Sequence, residues 1–258
     1  MRECVLEALL DSLGEDEFVG IYAHGSSLKA WDSPIDYVPE VSDVDVQLVL
    51  KRPELLTEDL ERSLAIASTY ERRFAERCPN AVHLPRPQIQ VINKELEIPE
   101  FLPSPAKSSR TLFGRDISQV RPQPDPAFVV QVDRATLRKT DQVAWVVGLP
   151  MWLIDRPGHY AYQALNAMAW RISPTGSRVL SVLGATYEEA WGTNRTQIHQ
   201  RLVEGGHSEL AGDYAGYYLN AWEFFLSGHR DIEAAHRTLQ SGVRVLQRGH
   251  AIGMAAPD

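Results

Sequence analysis

Two short stretches decide the fold of this chain: residues 18–26, FVGIYAHGS, and residues 42–50, SDVDVQLVL. Each contains a short, predominantly apolar run, which predicts a buried β-strand. In the second stretch Asp43 and Asp45 are two positions apart, and residues two apart along a strand project from the same face. The pattern therefore predicts two buried strands, one of them with a pair of adjacent carboxylates at its start.

These stretches also predict nucleotide chemistry. Asp43 and Asp45 lie about 7 Å apart along the predicted strand and repel each other unless a cation lies between them. Mg²⁺ usually binds through one or two carboxylates together with substrate phosphates. Gly25 lets the backbone approach a phosphate closely, and Ser26 supplies a hydroxyl and an N–H to bind it. Alone, Gly-Ser is more often an ordinary turn and Asp-x-Asp often occurs by chance, so the prediction depends on their combination.

Composition limits the classes of protein to consider. The chain has 258 residues, 44% hydrophobic and 23% charged, with a net charge of −8, which predicts one large or two modest globular domains. No apolar run reaches the roughly 18 residues needed to span a bilayer, and the acidic N-terminus is unlike a signal peptide. Cys4 and Cys78 are too few for a disulfide scaffold, which indicates the cytoplasm. The negative charge disfavours a nucleic-acid partner and suits a small cationic substrate.

Hydrophobic periodicity separates the chain into two halves. The first half alternates a helix at 2–12, strands at 18–23, 44–50 and 88–92, and a long helix capped by Thr57. Residues 93–126 are rich in proline and charge and are predicted to bridge two lobes. The second half is predicted to be helical at Ala135–Val147, His159–Ile172, Asn194–Val203, Ser208–Leu226 and Arg230–Gln247. We therefore expect an α+β protein, with a small mixed-sheet lobe at 1–125 and an all-helical lobe at 126–258.

The order of the motifs resembles the nucleotidyltransferase superfamily, which shares the polymerase-beta-like fold. Its members carry Gly-Ser, a spacer, and then two acidic residues two apart, as Gly25-Ser26 and Asp43/Asp45 do here. The spacer is longer than usual for the family, and the extra residues at 32–39 are predicted to be a loop insertion. Further segments are similar to aminoglycoside adenylyltransferases of the 3″/9 type: Arg86-Pro87, Leu112–Ile117, Leu165-Asn166 with Arg171, and Tyr187–Trp191.

This resemblance implies a magnesium-dependent nucleotidyltransferase. Asp43 and Asp45 would bind Mg²⁺, and Gly25 and Ser26 would bind the phosphates of a nucleoside triphosphate, with ATP the expected donor. The nucleoside monophosphate would pass to a hydroxyl of a small, cationic, aminoglycoside-like acceptor bound by the helical lobe. Further candidate contacts are the cations Lys29 and Arg115 for the nucleotide, and the acids Glu188, Glu189, Asp213 and Glu223 for the acceptor.

One position departs from the family pattern. Members have a third carboxylate on the strand after Arg-Pro, which acts as general base; the best matching position here is Gln90. An amide cannot remove a proton, although it can orient a hydroxyl. Transfer without a base, a replacement carboxylate from Glu95 or Glu97, and a nucleotide-binding relative that has lost transfer all stay open. So does an antitoxin-type regulator that adenylylates a partner protein.

Overall fold

The computed structural model describes residues 1–139 and 141–256, without the side chains of 141–143 and 147. It has the expected α+β class, with a four-stranded mixed sheet and a large share of helix. No helix in the described ranges combines the length and apolarity needed to cross a membrane. Contacts group the chain into two compact units, Met1–Leu28 with Asp43–Gln123, and Lys29–Ser42 with Pro124 onward. The boundary predicted at 125/126 does not anticipate the grouping of residues 29–42 with the later helices.

The first unit is built on a sheet with strand order β3-β2-β1-β4. Its strands are β1 (Phe18–His24), β2 (Val44–Leu50), β3 (Pro87–Val91) and β4 (Ser109–Gly114). β2 pairs parallel with β3 and antiparallel with β1, and β1 pairs antiparallel with β4. The bridge predicted at 93–126 is therefore wrong for β4, a short, partly exposed edge strand that lies within a stretch rich in proline and charge.

Two helices cover one face of this sheet, α1 (Arg2–Leu13) and α3 (Leu60–Arg77). Their apolar side chains form one core cluster with Ile21 of β1 and with the inward residues of β2. The inward residues of β2 are Val44, Val46, Leu48 and Leu50. The side chains of Asp45 and Gln47 alternate with these, so they belong to the other face of the sheet. A short helix, α2 (Glu54–Thr57), precedes α3.

The start and the buried face of α3 differ from the prediction. Its N-cap is Asp59, whose carboxylate accepts a hydrogen bond from the N–H of Arg62, whereas Thr57 ends α2. A carboxylate at the N-cap also interacts favourably with the helix dipole, which explains why Asp59 takes this position. Ile66, Tyr70 and Phe74 are the buried side chains, four residues apart. Helical spacing in the sequence predicts a buried stripe of Leu60, Leu64, Ala67, Tyr70 and Phe74. This is confirmed for Tyr70 and Phe74 and wrong for the first three residues, which are exposed.

The second unit is helical. Its helices are α5 (Pro126–Arg138), α6 (Asp141–Ile154), α7 (Ala161–Val182), α8 (Tyr187–Trp191), α9 (Arg195–Glu204), α10 (Ser208–Leu226) and α11 (Ile232–Ala255); α4 (Ile117–Val120) precedes them in the first unit. The predicted helix Ala135–Val147 spans the junction of α5 and α6, where Thr140 lies outside the described residues. The sequence predicts that most of the aromatic residues of α10 belong to the core, and this is confirmed. Of Tyr214, Tyr217, Tyr218, Trp222, Phe224 and Phe225, the three tyrosines and Phe224 are buried.

Residues 29–42 group with this helical unit, and the second half of the segment enters its core. Ile35, Val38 and Val41 belong to its main apolar cluster. The Asp36 carboxylate is buried and accepts hydrogen bonds from the backbone N–H and the hydroxyl of Thr196 at the start of α9, at 2.9 and 2.7 Å. The predicted loop insertion is thus irregular in backbone, as expected, but it is packed and hydrogen-bonded like an internal element.

Candidate functional site

The strand register places a row of polar residues across one face of the sheet. Asp45 of β2 pairs with His24 of β1 and with Gln88 of β3, and His24 pairs with Ser109 of β4. Residues paired directly across neighbouring strands project from the same face. This face is opposite α1 and α3, so Gln88, Asp45, His24 and Ser109 form a row that those helices do not cover. We call these four residues the polar row.

Gly25 is fitted against one member of this row. Its φ is +78°, and a Cβ added there would lie 2.0 Å from Asp45 Oδ2. Only glycine adopts this conformation without strain and leaves room for the carboxylate. The turn at Gly25-Ser26 and the carboxylate of Asp45 are therefore in contact.

Asp43 lies immediately before β2 and is paired with an arginine. Arg86 Nη2 is 2.6 Å from Asp43 Oδ2, and the N–H of Val44 donates to the carbonyl of Arg86 at 2.9 Å. The arginine partly balances the two carboxylates that the sequence argument assigns to a cation alone. Sequence reasoning noted Arg86 only as part of an Arg-Pro motif, because its pairing with Asp43 depends on β3 lying parallel to β2, which the structure alone shows.

The register also distinguishes between the two glutamines of β3. Gln88 lies beside Asp45, whereas Gln90 lies beside Gln47, one pleat further along the same face. A third carboxylate meant to act next to Asp45 would therefore be closest at position 88. Gln90 is exposed and remains a candidate for orienting an acceptor, but the sequence match alone does not identify Gln88.

Two alternatives from the sequence lie at the wrong end of the sheet. Asn93 is hydrogen-bonded through its side chain to the backbone of Leu50, so Glu95 and Glu97 follow the far end of β2. Leu50 is five residues beyond Asp45, about 17 Å along an extended strand. Arg115 is at the same far end, where its N–H donates to the carbonyl of Val19 at 2.9 Å. Neither a carboxylate swinging in from Glu95 or Glu97 nor an Arg115 contact at Gly25 fits this geometry.

The candidate contacts in the helical unit are mostly engaged in structural interactions. Lys29 Nζ donates to the carbonyls of Trp191 and Thr193 at 2.7 and 2.8 Å. Three of the four acidic candidates have arginine partners, namely Glu189 with Arg201, Asp213 with Arg244 and Arg248, and Glu223 with Arg237. The Glu189 carboxylate also closes a capping box with Thr186, and these hydrogen bonds, with the nearby Arg201, lower its pKa. These arrangements explain the residues as helix caps and surface ion pairs.

Comparison with known protein families, curated proteins and solved structures finds no match to this chain.

Proposed function

We propose that this protein is a magnesium-dependent nucleotidyltransferase that moves a nucleoside monophosphate from ATP to a hydroxyl of a small acceptor. One observation carries the proposal: the antiparallel pairing of β1 with β2 places Gly25 directly against the Asp45 carboxylate. A turn that can bind phosphate and a carboxylate that can bind its counterion then share one corner of the sheet. Asp43, two residues earlier, adds the second carboxylate.

The residues at this corner fit a magnesium ion by their chemistry. Asp43 and Asp45 would hold it, since hard divalent cations prefer carboxylate oxygens. When bound, such an ion neutralises phosphate charge during phosphoryl transfer. Gly25 and Ser26 would bind the β- and γ-phosphates through N–H groups and a hydroxyl. Arg86 holds the Asp43 carboxylate at 2.6 Å and so fixes the orientation of one ligand.

The proton of the acceptor hydroxyl needs a base other than the glutamines. Within the polar row, His24 is the one residue of the type that most often serves as a general base, because an imidazole ring nitrogen can accept a proton. Its Nδ1 lies 3.2 Å from Ser104 Oγ, which holds the ring in place next to Asp45. We therefore assign proton acceptance to His24, and orientation of the acceptor hydroxyl to Gln88 or Gln90. In this reaction the acceptor oxygen bonds to the α-phosphorus while the bond to pyrophosphate breaks.

The helical unit is proposed to be the acceptor-binding lobe, as in the aminoglycoside adenylyltransferases that the chain resembles. A net charge of −8 favours a cationic, hydroxylated acceptor over an anionic one. The proposal extends to no particular antibiotic. Cytoplasmic ATP would be the donor.

A second candidate function follows from the glutamines. With Gln88 and Gln90 in place of a carboxylate, the corner would still bind Mg²⁺ and ATP, and the protein would act as a nucleotide-binding relative without transfer. A regulator that adenylylates a partner protein, of the antitoxin type, uses the same corner with a different acceptor.

The first experiment is transfer from α-labelled ATP in the presence of Mg²⁺, with a panel of aminoglycosides and with the protein itself as an acceptor. Label on an aminoglycoside supports the proposed transferase, and label on protein supports the regulator. Binding of Mg²⁺-ATP without any transfer supports the nucleotide-binding relative. If the Asp45→Asn variant retains both Mg²⁺-ATP binding and transfer, the proposed site at this corner is wrong.

His24→Gln tests the assigned base. We expect the single-turnover rate to fall about 10²–10⁴-fold, the usual contribution of general base catalysis, and its pH dependence near neutrality to disappear. The affinity for Mg²⁺-ATP, measured by calorimetry, should remain. A variant that retains both the rate and its pH profile would show that His24 does not accept the proton.

A further inference from the structure

A second group of ligand-type side chains lies in the helical unit, among residues that the proposed transfer does not use. Glu40, His159 and His229 each offer one ligand atom, and these atoms all lie within 4.8 Å of one another. His229 Nε2 is 2.6 Å from Glu40 Oε2. The three residues come from distant parts of the chain, so their convergence is a product of the fold.

Glu40 is held in an unusual backbone conformation. It follows Pro39 in a turn closed by a hydrogen bond from the N–H of Val41 to the carbonyl of Val38, at 3.2 Å. Its φ is +65°. This position of a turn with positive φ is normally occupied by glycine or asparagine, and another residue there is strained. The side chain of Asn166 donates to the Glu40 carbonyl at 3.2 Å and helps to hold the turn.

His229, like Glu40, has a positive φ. It follows the end of α10 in a Schellman motif. The N–H of His229 donates to the carbonyl of Phe224 at 3.0 Å, and the N–H of Gly228 donates to the carbonyl of Phe225 at 2.9 Å. Its φ is +62°, and within residues 1–139 and 141–256 it shares a positive φ with one other non-glycine residue, Glu40. Strained backbone of this kind is typically retained at functional sites. Glu40 and His229 both have this strained backbone, and their side chains are in contact. We infer that these two positions carry Glu and His because of what the side chains do, since the turns alone would favour glycine.

His159 completes the group from a short 3-10 turn at Gly158–Tyr160, just before α7. Its ring stands edge-on to the ring of His229, with centroids 4.7 Å apart, and is stacked on Tyr162 at 6.2 Å. His159 is exposed, whereas Glu40 and His229 are partly buried. The cluster is therefore open to solvent on one side, which provides an entry path and room for a fourth ligand.

We propose that Glu40, His159 and His229 bind one zinc ion, with water in the fourth position. Two imidazoles and a carboxylate suit zinc, whereas magnesium prefers oxygen ligands alone. Bonds of about 2.0–2.1 Å in a tetrahedron separate the ligand atoms by about 3.3 Å. The 2.6 Å contact and the 4.8 Å limit lie on either side of that value, so small side-chain rotations complete the site.

The contact between Glu40 and His229 leaves one oxygen of the Glu40 carboxylate without a hydrogen bond in the described part of the chain, and a bound cation would compensate the carboxylate charge. Glu40 Oε2 is buried and makes no hydrogen bond of acceptable geometry within the described residues, although His229 Nε2 is close. A buried carboxylate oxygen without a hydrogen bond is costly. A zinc ion that both atoms face removes this cost and links the turn at 38–41, the start of α7 and the end of α10. The ion would thus stabilise the helical unit by cross-linking three distant segments.

The test is calorimetric titration of Zn²⁺ into the untagged, chelator-treated protein, together with thermal unfolding. We expect one zinc ion per chain, a rise in melting temperature, and visible absorption typical of tetrahedral coordination when Co²⁺ replaces zinc. His229→Asn is the diagnostic variant, because asparagine tolerates the positive φ and lacks the imidazole. Since even indirect supports of metal ligands contribute about 10–100-fold in affinity, its zinc affinity should fall at least about tenfold.

His236→Asn is the matched control: it makes the same substitution at an exposed histidine that lies 4.0 Å from Glu233 on α11. It should bind zinc like the unaltered protein. Glu40→Gly keeps the turn and removes the carboxylate; it should unfold at an equal or higher temperature without zinc but lose the rise with zinc. Wild-type protein that binds no zinc, or a His229→Asn variant that binds it unchanged, would overturn the proposal.

Discussion

The corner at Gly25 and the segment at residues 29–42 are nearly adjacent in the chain, yet they differ in how they obtain their structure. The corner depends on pairing between two strands whose pattern is visible in short stretches of sequence. The segment has little regular structure and is held by side chains from α9 and α10. A local sequence pattern predicts an element whose structure depends on its own residues. It does not predict a segment whose structure depends on contacts with residues far away in the sequence.

The buried carboxylate of Asp36 gives the largest expected effect. It accepts hydrogen bonds from the N–H groups of Asp32 and Ser33 and two from Thr196. Each hydrogen bond to a charged group contributes about 1.5–3 kcal/mol, and the four are not additive, so we expect Asp36→Ala to lower the free energy of unfolding by about 3–5 kcal/mol.

Urea denaturation measures this, with the exposed Asp16→Ala as a control expected to change stability by less than about 0.5 kcal/mol. A similar, small loss in both variants would show that residues 29–42 are an ordinary surface loop. The proposed difference between the segment and the corner would then be wrong.

Gly25→Ala tests how closely the corner is fitted. Its Cβ would meet Asp45 Oδ2 at 2.0 Å, whereas Gly14, with a similar positive φ of +82°, has open space around it. Both substitutions put a Cβ on a residue with positive φ and so strain the backbone, but only the Cβ of Gly25→Ala also displaces a carboxylate. We expect that variant alone to weaken binding of Mg²⁺-ATP, measured by calorimetry. If Gly25→Ala and Gly14→Ala bind the nucleotide equally well, the turn at Gly25 is not part of the nucleotide site.

Substituting the two glutamines of β3 tests the strand register. If His24 is not the base and the position beside Asp45 lacks one, Gln88→Glu should raise the single-turnover transfer rate by about tenfold or more, toward the usual range for a general base. Gln90→Glu, one pleat away, should raise it less. The opposite order would favour the position predicted by motif alignment, and no change in either would favour His24 as the existing base.

The ion pairs between α1 and α3 give the smallest expected effect, one that depends on pH. A hydrogen bond from Arg77, with the charges of Arg77 and Arg73, holds the pKa of Glu7 below its ordinary value of 4.5. A lowered pKa in the folded state means that Glu7 stabilises the fold above that ordinary value, and that this contribution is lost as the pH falls through the folded-state pKa.

We therefore expect Glu7→Gln to lower the melting temperature slightly at pH 7 and to match the unaltered protein in strongly acidic buffer. Thermal unfolding across this pH range checks the prediction. A difference between the two proteins that is the same at every pH would show that the contribution of Glu7 is not electrostatic.

Within the first unit, the sequence predicts strands β1 to β3 closely, because alternating or continuous apolar residues depend only on which face is buried. It also identifies Gly25, Asp43 and Asp45 as candidates from their spacing. It does not identify β4, because this edge strand with polar residues forms through its pairing with β1, which the sequence does not show. Likewise Gln88 was not singled out, because its place beside Asp45 depends on the register between two strands that are distant in sequence.

By itself, the sequence determined the α+β class, three of the four strands and the residues of the candidate corner, all through patterns a few residues long. The tertiary structure alone decided that Arg86 meets Asp43, that residues 29–42 enter the helical core, and that Glu40, His159 and His229 converge. These features join residues tens to hundreds of positions apart. Their contacts arise from the packing of whole elements, and no local periodicity records that packing.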